Sequence, residues 1–200
     1  MLNAMNVLII ISAYLIGSIP FGFLLARFWK GIDIRKHGSG NIGATNVWRT
    51  LGKGPGIIVL LLDALKGVTA VMLAKQLGTN DLVALGAALA VMAGHSFPLW
   101  LGFKGGKIIA TGAGAVLAIT PVPLLLALLV WVTTVALSRY VSLGSILAAI
   151  SLPIWVALFD REPSTLVFSL LAASFAVWKH SSNIKRLLNG TEFRIGQKKS

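Results

Sequence analysis

Three stretches of this sequence gather side chains suited to handling phosphate, and each places them among glycines. The first is HGSGNIGATNVWRTLGKGPG (37–56), where Gly38, Gly40 and Gly43 separate Ser39, Asn41, Thr45, Asn46 and Arg49. Glycine admits positive φ, so successive N–H groups there can converge on an anion as a backbone nest. The neutral side chains would add donors, and Arg49 a charged fork. No strand precedes the run, so it is not a Rossmann G-x-G-x-x-G, and no G-K-[ST] closes it as a P-loop. The plain alternative is a solvated loop with glycines as punctuation. Ile34, Ile42, Val47 and Trp48 argue against it, because such residues pack on a helix bundle or on the bilayer surface.

The second stretch is GHSFPLWLGFKGGKIIAT (94–111). Lys104, Gly105, Gly106 and Lys107 open an apolar segment, where a phosphate would meet two ammonium groups, free N–H donors and the positive end of a helix dipole. Ordinary anchoring of a membrane segment by lysine is the competing reading. His95 lies inside an apolar span, and packing and function remain equally open for it. The third stretch, KHSSNIKRLLNGTEFRIG (179–196), puts His180, Asn183 and Arg186/Leu187 on one face of a helical extension that Gly190 stops. Glu192 is the acid of the tail, with a surface pairing to Arg194 or Lys185 as its plain alternative. The other basic residues there read as anchors to lipid. Ser142, beside Arg139 and Tyr140, joins the substrate-binding candidates, against a simple role as helix cap.

Other chemistry is excluded. The chain has no cysteine, hence no thiolate nucleophile, Cys-ligated metal or disulfide framework. It has no G-x-S-x-G, and none of His37, His95 and His180 is followed by the aspartate of an H-x-x-x-x-D acyltransferase pattern. No cofactor, metal or nucleic-acid partner is expected.

The elements that must position these groups are membrane helices. Of the 200 residues, 56% are apolar and only 12% charged, about half the charge a soluble domain carries. Apolar segments cover 7–26, 56–74, 82–101, 108–120, 122–138, 141–158 and 164–178. About 20 helical residues cross the hydrocarbon layer; the segments at 108–120 and 164–178 are short. The first segment lacks the basic flank and cleavage site of a signal peptide and is expected to remain as a span. Asp63 and Lys66, three apart within the second segment, should face the bundle interior, either as a structural pair or on substrate. The expected fold is an all-α polytopic integral membrane protein over 1–200. It is a seven-helix bundle with short or re-entrant helices near a cytoplasmic glycine-rich site.

If all seven segments cross, every Lys and Arg except Lys66, Lys75 and Arg161 lies on one side. The positive-inside rule then puts the N-terminus outside and the C-terminus in the cytoplasm. A five-span arrangement also keeps the basic tail inside.

With HGSGNIGATNVWRTLGKGPG, GHSFPLWLGFKGGKIIAT and SNIKRLLNGTEFRIG in order, and GSIPFGFLLA (17–26) and LDALKG (62–67) beside them, the chain resembles the bacterial acyl-phosphate:glycerol-3-phosphate acyltransferase family (PlsY). The resemblance implies a single transmembrane acyltransferase domain in the bacterial inner membrane. It also implies transfer of a fatty acyl group from acyl phosphate to the sn-1 hydroxyl of glycerol 3-phosphate, giving lysophosphatidic acid and phosphate without nucleotide or metal. Ser39, Arg49, Lys104, Asn183 and Glu192 would carry the reaction, with His180 placed beside them by the helical-face argument. Gly38, Gly40, Asn41, Gly43, Thr45, Asn46, Gly105, Gly106, Lys107 and Ser142 would bind substrate. The expected partners are the two substrates and membrane lipid. The chain should act as a monomer, with loose association with an acyl-phosphate-producing enzyme. The rival class is a transporter of a phosphorylated solute, which would need access from both sides.

Overall fold

A computed structural model describes residues 3–196, and Lys198 and Lys199 of the basic tail lie outside them. Every regular element among the described residues is helical. The first span is longer than expected and broken. Helix α1 (Ala4–Ser18) stops at Ile19, which is extended (φ −65°, ψ 113°), and α2 (Phe21–Lys30) resumes after Pro20. Proline denies its own N–H to the ladder and pushes the preceding residue out of the helical region.

The loop that follows holds a helix the sequence reading did not predict, α3 (Ala44–Leu51), preceded by a short 3-10 turn at Ile34–Lys36. Next come α4 (Lys53–Leu77), α5 (Asp81–Ser96), a 3-10 turn at Leu99–Leu101 and α6 (Ile109–Ile119). Then follow α7 (Pro121–Ser138), α8 (Val141–Phe159), α9 (Pro163–Lys179) and α10 (Ser181–Leu188). Five stretches, 4–30, 53–77, 81–101, 121–138 and 141–159, are long and apolar enough to cross a membrane, and α6 and α9 are shorter. At 11 residues α6 is shorter than the helices on either side of it in sequence, α5 and α7, as expected for 108–120.

The chain packs as two compact units, Met1–Ile119 and Thr120–Ser200. In the first unit, glycines let helix backbones touch. A Cβ on Gly17 of α1 would lie 2.2 Å from Val91 O of α5, and one on Gly94 of α5 would lie 2.1 Å from Tyr14 O of α1. Gly67 of α4 and Gly114 of α6 make the same reciprocal contact, with Thr111 O at 2.1 Å and Ala64 O at 1.9 Å. In lipid, where apolar surface gains nothing by leaving its surroundings, such close approach is the main source of association. Lys75, in the last turn of α4, donates to Ala118 O near the end of α6 at 2.6 Å, so both helices finish on the same side. Gly94→Val should therefore lower stability by about 1–3 kcal/mol. Gly86→Ala, whose Cβ would meet only Ile10 at 3.4 Å, should leave the unfolding midpoint of the purified protein unchanged.

In the second unit α8 packs between α7 and α9. Gly144 permits the α7 contact, because a Cβ there would sit 2.6 Å from Val135 Cγ2. The chain beyond α10 folds back: Ile195 N donates to Arg139 O at 2.9 Å, and Arg194 lies 4.7 Å from the centre of the Tyr140 ring.

Candidate active site

The first glycine stretch is a packed structure rather than a solvated loop. Ile34, Ile42 and Val47 are buried with Ala26 and Val59. Gly22 of α2 accepts the loop so closely that a Cβ would fall 1.8 Å from Ile42 O. Trp48 stays 45% exposed, its base set on Gly56 at the start of α4. Leu101, three residues before Lys104, packs against the same core, which brings the first two stretches to one body.

Asn46 organises this loop, and its role differs from the expected substrate donor. Its Nδ2 donates toward Ile34 O, His37 O and Asn41 O at 3.3, 3.0 and 2.8 Å, while Oδ1 accepts from Ser39 N at 2.8 Å. A buried amide with its donors and acceptor so engaged has little left for a ligand. The expected nest is likewise turned inward: Gly40 N donates to His37 O and Gly43 N to Asn41 Oδ1. Gly38 and Gly40 have φ of 60° and 73°, so glycine is required there, whereas Gly43 is extended and serves as N-cap of α3. What faces outward is Ser39, Thr45 and Arg49, all exposed. Asp33 is no candidate base. Hydrogen bonds from the Arg35 side chain, 2.8 Å away, hold its carboxyl down to about 2, so it stays charged and a poor proton acceptor.

The second stretch is a tight turn. Gly105 N donates to Ser96 O at 3.1 Å and Gly106 N to His95 O at 2.9 Å, so neither supplies the free N–H donor expected of it. Their glycines serve contact instead, since a Cβ at Gly105 would lie 2.2 Å from His95 O and one at Gly106 2.0 Å from His95 Nε2. Lys104 is exposed and Lys107 half-buried, and the positive charge of this turn lies on their ammonium groups. The turn lies beside Lys66 and Gly67, about 20 Å along α4 from its first residue. It is set into the thickness of the bundle rather than on its rim.

Within the second unit, Asn183 and Glu192 are 6% and 5% exposed. Glu192 is not a surface partner of Arg194 or Lys185. It accepts from Asn183 Nδ2 at 3.0 Å and from Arg186 Nε at 2.8 Å. His180 is buried at the break between α9 and α10, so the helical extension is a separate helix. Its Nδ1 lies 2.7 Å from Ala176 O; a carbonyl only accepts, so that nitrogen carries a proton, and in the neutral ring Nε2 is then the acceptor. Ser142 is not a cap, because Tyr140 takes that position. Its hydroxyl is buried without a hydrogen-bond partner among the described residues. Native structures rarely leave such a group unpaired unless a ligand or water takes it.

Asp63 and Lys66 form the interior pair that their spacing predicts: Lys66 Nζ lies 2.7 Å from Asp63 Oδ1 inside the bundle. His95 completes the pair, with Nδ1 2.8 Å from Lys66 Nζ.

Helices for the bilayer, a cationic turn sunk among them and a second cationic loop on the same body define an integral membrane protein that handles a phosphorylated substrate. The family model for glycerol-3-phosphate acyltransferase matches residues 7–190. A glycerol-3-phosphate acyltransferase of Desulforamulus reducens is 74% identical over the whole of both chains. Glycerol-3-phosphate acyltransferase 2 of Moorella thermoacetica is 48% identical over 97% of this chain and all of its own. Two crystal structures of PlsY, an integral membrane glycerol 3-phosphate acyltransferase, superpose on 96% of this chain. The glycerol 3-phosphate form has a TM-score of 0.91 at 42% identity, and the lysophosphatidic acid form 0.88 at 41%. This chain belongs to the glycerol-3-phosphate acyltransferase family.

Proposed function

We propose that the chain transfers a fatty acyl group from acyl phosphate to the sn-1 hydroxyl of glycerol 3-phosphate, giving lysophosphatidic acid and inorganic phosphate. The observation that carries this reading is the cationic Lys104–Lys107 turn set among helices with apolar outer faces. It offers charge to a phosphate beside apolar surface for an acyl chain. The relatives crystallised with glycerol 3-phosphate and lysophosphatidic acid support the substrate and product.

Acyl phosphate is a mixed anhydride with a good leaving group, so no protein nucleophile is needed. The sn-1 oxygen attacks the acyl carbon, the new C–O bond forms, and the bond to the phosphate oxygen breaks. The hydroxyl proton passes to a phosphate of the substrates. Arg49, Lys104 and Lys107 neutralise the phosphates and the growing oxyanion, and Ser39 and Thr45 contribute hydroxyl contacts. Asn183, held by Glu192, orients the attacking hydroxyl, and His180 through Nε2 accepts from the neighbouring sn-2 hydroxyl; Ser142 offers its unpaired hydroxyl to substrate. Purified protein given glycerol 3-phosphate and palmitoyl phosphate should make lysophosphatidic acid, and palmitoyl-CoA should not replace the donor. Equal rates with both donors would refute the assignment.

The same reading places the chain in the bacterial inner membrane, acting as a monomer in loose association with the enzyme that makes its donor, with the N-terminus outside. The sequence has no cysteine, so single substitutions report cleanly. Thr79→Cys should react with an impermeant maleimide only from outside, and Asn189→Cys only from the cytoplasm. Labelling of both from one side would require a different number of crossings.

A further inference from the structure

Asp63 and Lys66 on α4 and His95 in the last turn of α5 take no direct part in the chemistry above, yet they meet the turn that does. They are 2%, 4% and 4% exposed. Lys66 Nζ forms an ion pair with Asp63 Oδ1, meets His95 Nδ1 and donates to Ile19 O at 3.1 Å, the carbonyl at the break between α1 and α2. The ammonium is thus held from three sides, by one carboxylate and two hydrogen-bond acceptors. A ring nitrogen that accepts from Lys66 carries no proton, so the imidazole proton sits on Nε2. That edge lies against Gly106, where a Cβ would come within 2.0 Å of Nε2. The backbone of the same histidine closes the clasp through the Gly106 N–H, and Ser96 Oγ donates to Gly106 O at 3.2 Å.

The turn requires such support. Phe103 and Ile108, on either side of Lys104–Lys107, both have φ of 61°. A left-handed non-glycine residue costs about 1–3 kcal/mol and persists only where its surroundings over-determine it. Helices α4 and α5 could be joined by apolar contact alone, without the desolvation of two charges. A charged cluster differs in that it fixes the direction of a ring.

We propose that Asp63, Lys66 and His95 are positioning residues of the substrate site. They lock the imidazole that shapes Gly105–Gly106, and so set where Lys104 and Lys107 present charge to the phosphate of glycerol 3-phosphate. This rests on the reading of Lys104 as a phosphate ligand.

A double-mutant cycle tests it on the purified full-length protein. His95→Asn keeps a polar group within reach of Lys66 and removes the ring beneath Gly106. It should raise KM for glycerol 3-phosphate about tenfold or more while kcat stays within about threefold and KM for palmitoyl phosphate is unchanged. In a Lys104→Ala background the same substitution should change KM by less than about twofold, because its effect runs through the turn. Additive effects, or a fall in kcat alone, would overturn the proposal. Asp63→Asn combined with Lys66→Met removes both charges together and leaves no uncompensated ion. That variant should show the same KM shift with an unchanged unfolding midpoint, and it carries the test if His95→Asn does not accumulate. A wild-type KM in the double variant, or loss of folded protein in both, would assign the cluster to the fold alone. Failure of the underlying reading is separate: Lys104→Ala by itself would then leave KM for glycerol 3-phosphate unchanged.

Discussion

Arg49→Ala is expected to lower kcat/KM by about 10²-fold or more, the loss of a charged, forked donor to phosphate whose partner is left without compensation. The helix that carries Arg49 should survive the change. Helix α3 is held by Asn46 and Val47 in the loop core and by the Trp48–Gly56 contact, none of which involves the guanidinium. Arg49→Lys should recover little, because a point ammonium cannot reproduce two parallel N–H bonds. A lysine variant within about threefold of the parent would show that only charge matters at this position.

The second large effect concerns the proton. With Nδ1–H bound to Ala176 O, the neutral His180 ring can accept at Nε2 but cannot donate there. The geometry thus favours a hydrogen bond accepted by Nε2 from the sn-2 hydroxyl of glycerol 3-phosphate. His180→Ala removes that acceptor and should cost about 10²-fold in the chemical rate. His180→Gln restores an acceptor oxygen. If a substrate phosphate takes the proton, the glutamine variant should stay within about tenfold of the parent rate and mainly raise KM for glycerol 3-phosphate. If His180 is the base, glutamine should be as poor as alanine, down about 10²–10⁴-fold in single turnover with both substrates bound.

Much of the architecture was legible because a bilayer imposes few solutions. Lengths of apolar segments, the shortness of α6 and the interior Asp63–Lys66 pair followed from hydropathy and the cost of buried charge. The break at Ile19–Pro20 was written in Pro20 but masked by uninterrupted hydrophobicity on both sides. Helix α3 was hidden by its glycine borders, although Ala44, Val47, Trp48 and Leu51 carry the i, i+3, i+4, i+7 spacing of an amphipathic helix.

At the site, residue types located the stretches, but not which atoms were already engaged. Asn46 reads like a ligand donor, and only the folded loop shows its amide spent on Ile34, His37 and Asn41. Gly105 and Gly106 read like a source of N–H groups, and only the structure shows those groups bound to His95 and Ser96. No spacing rule connects His95 with Lys66, 29 residues apart, because their meeting depends on how α4 packs on α5. Glu192 stands out in the sequence as an acid among bases, while its partners Asn183 and Arg186 are apparent only once the tail folds back on α10.

Direct transfer between two bound substrates is the centre of this account, and rapid-quench mixing of enzyme with excess acyl phosphate tests it most directly. Without glycerol 3-phosphate the protein should release no burst of inorganic phosphate. With it, phosphate and lysophosphatidic acid should appear together, one for one, from the first turnover. A burst of phosphate equal to the enzyme concentration in the absence of glycerol 3-phosphate would reveal an acyl-enzyme and contradict the mechanism.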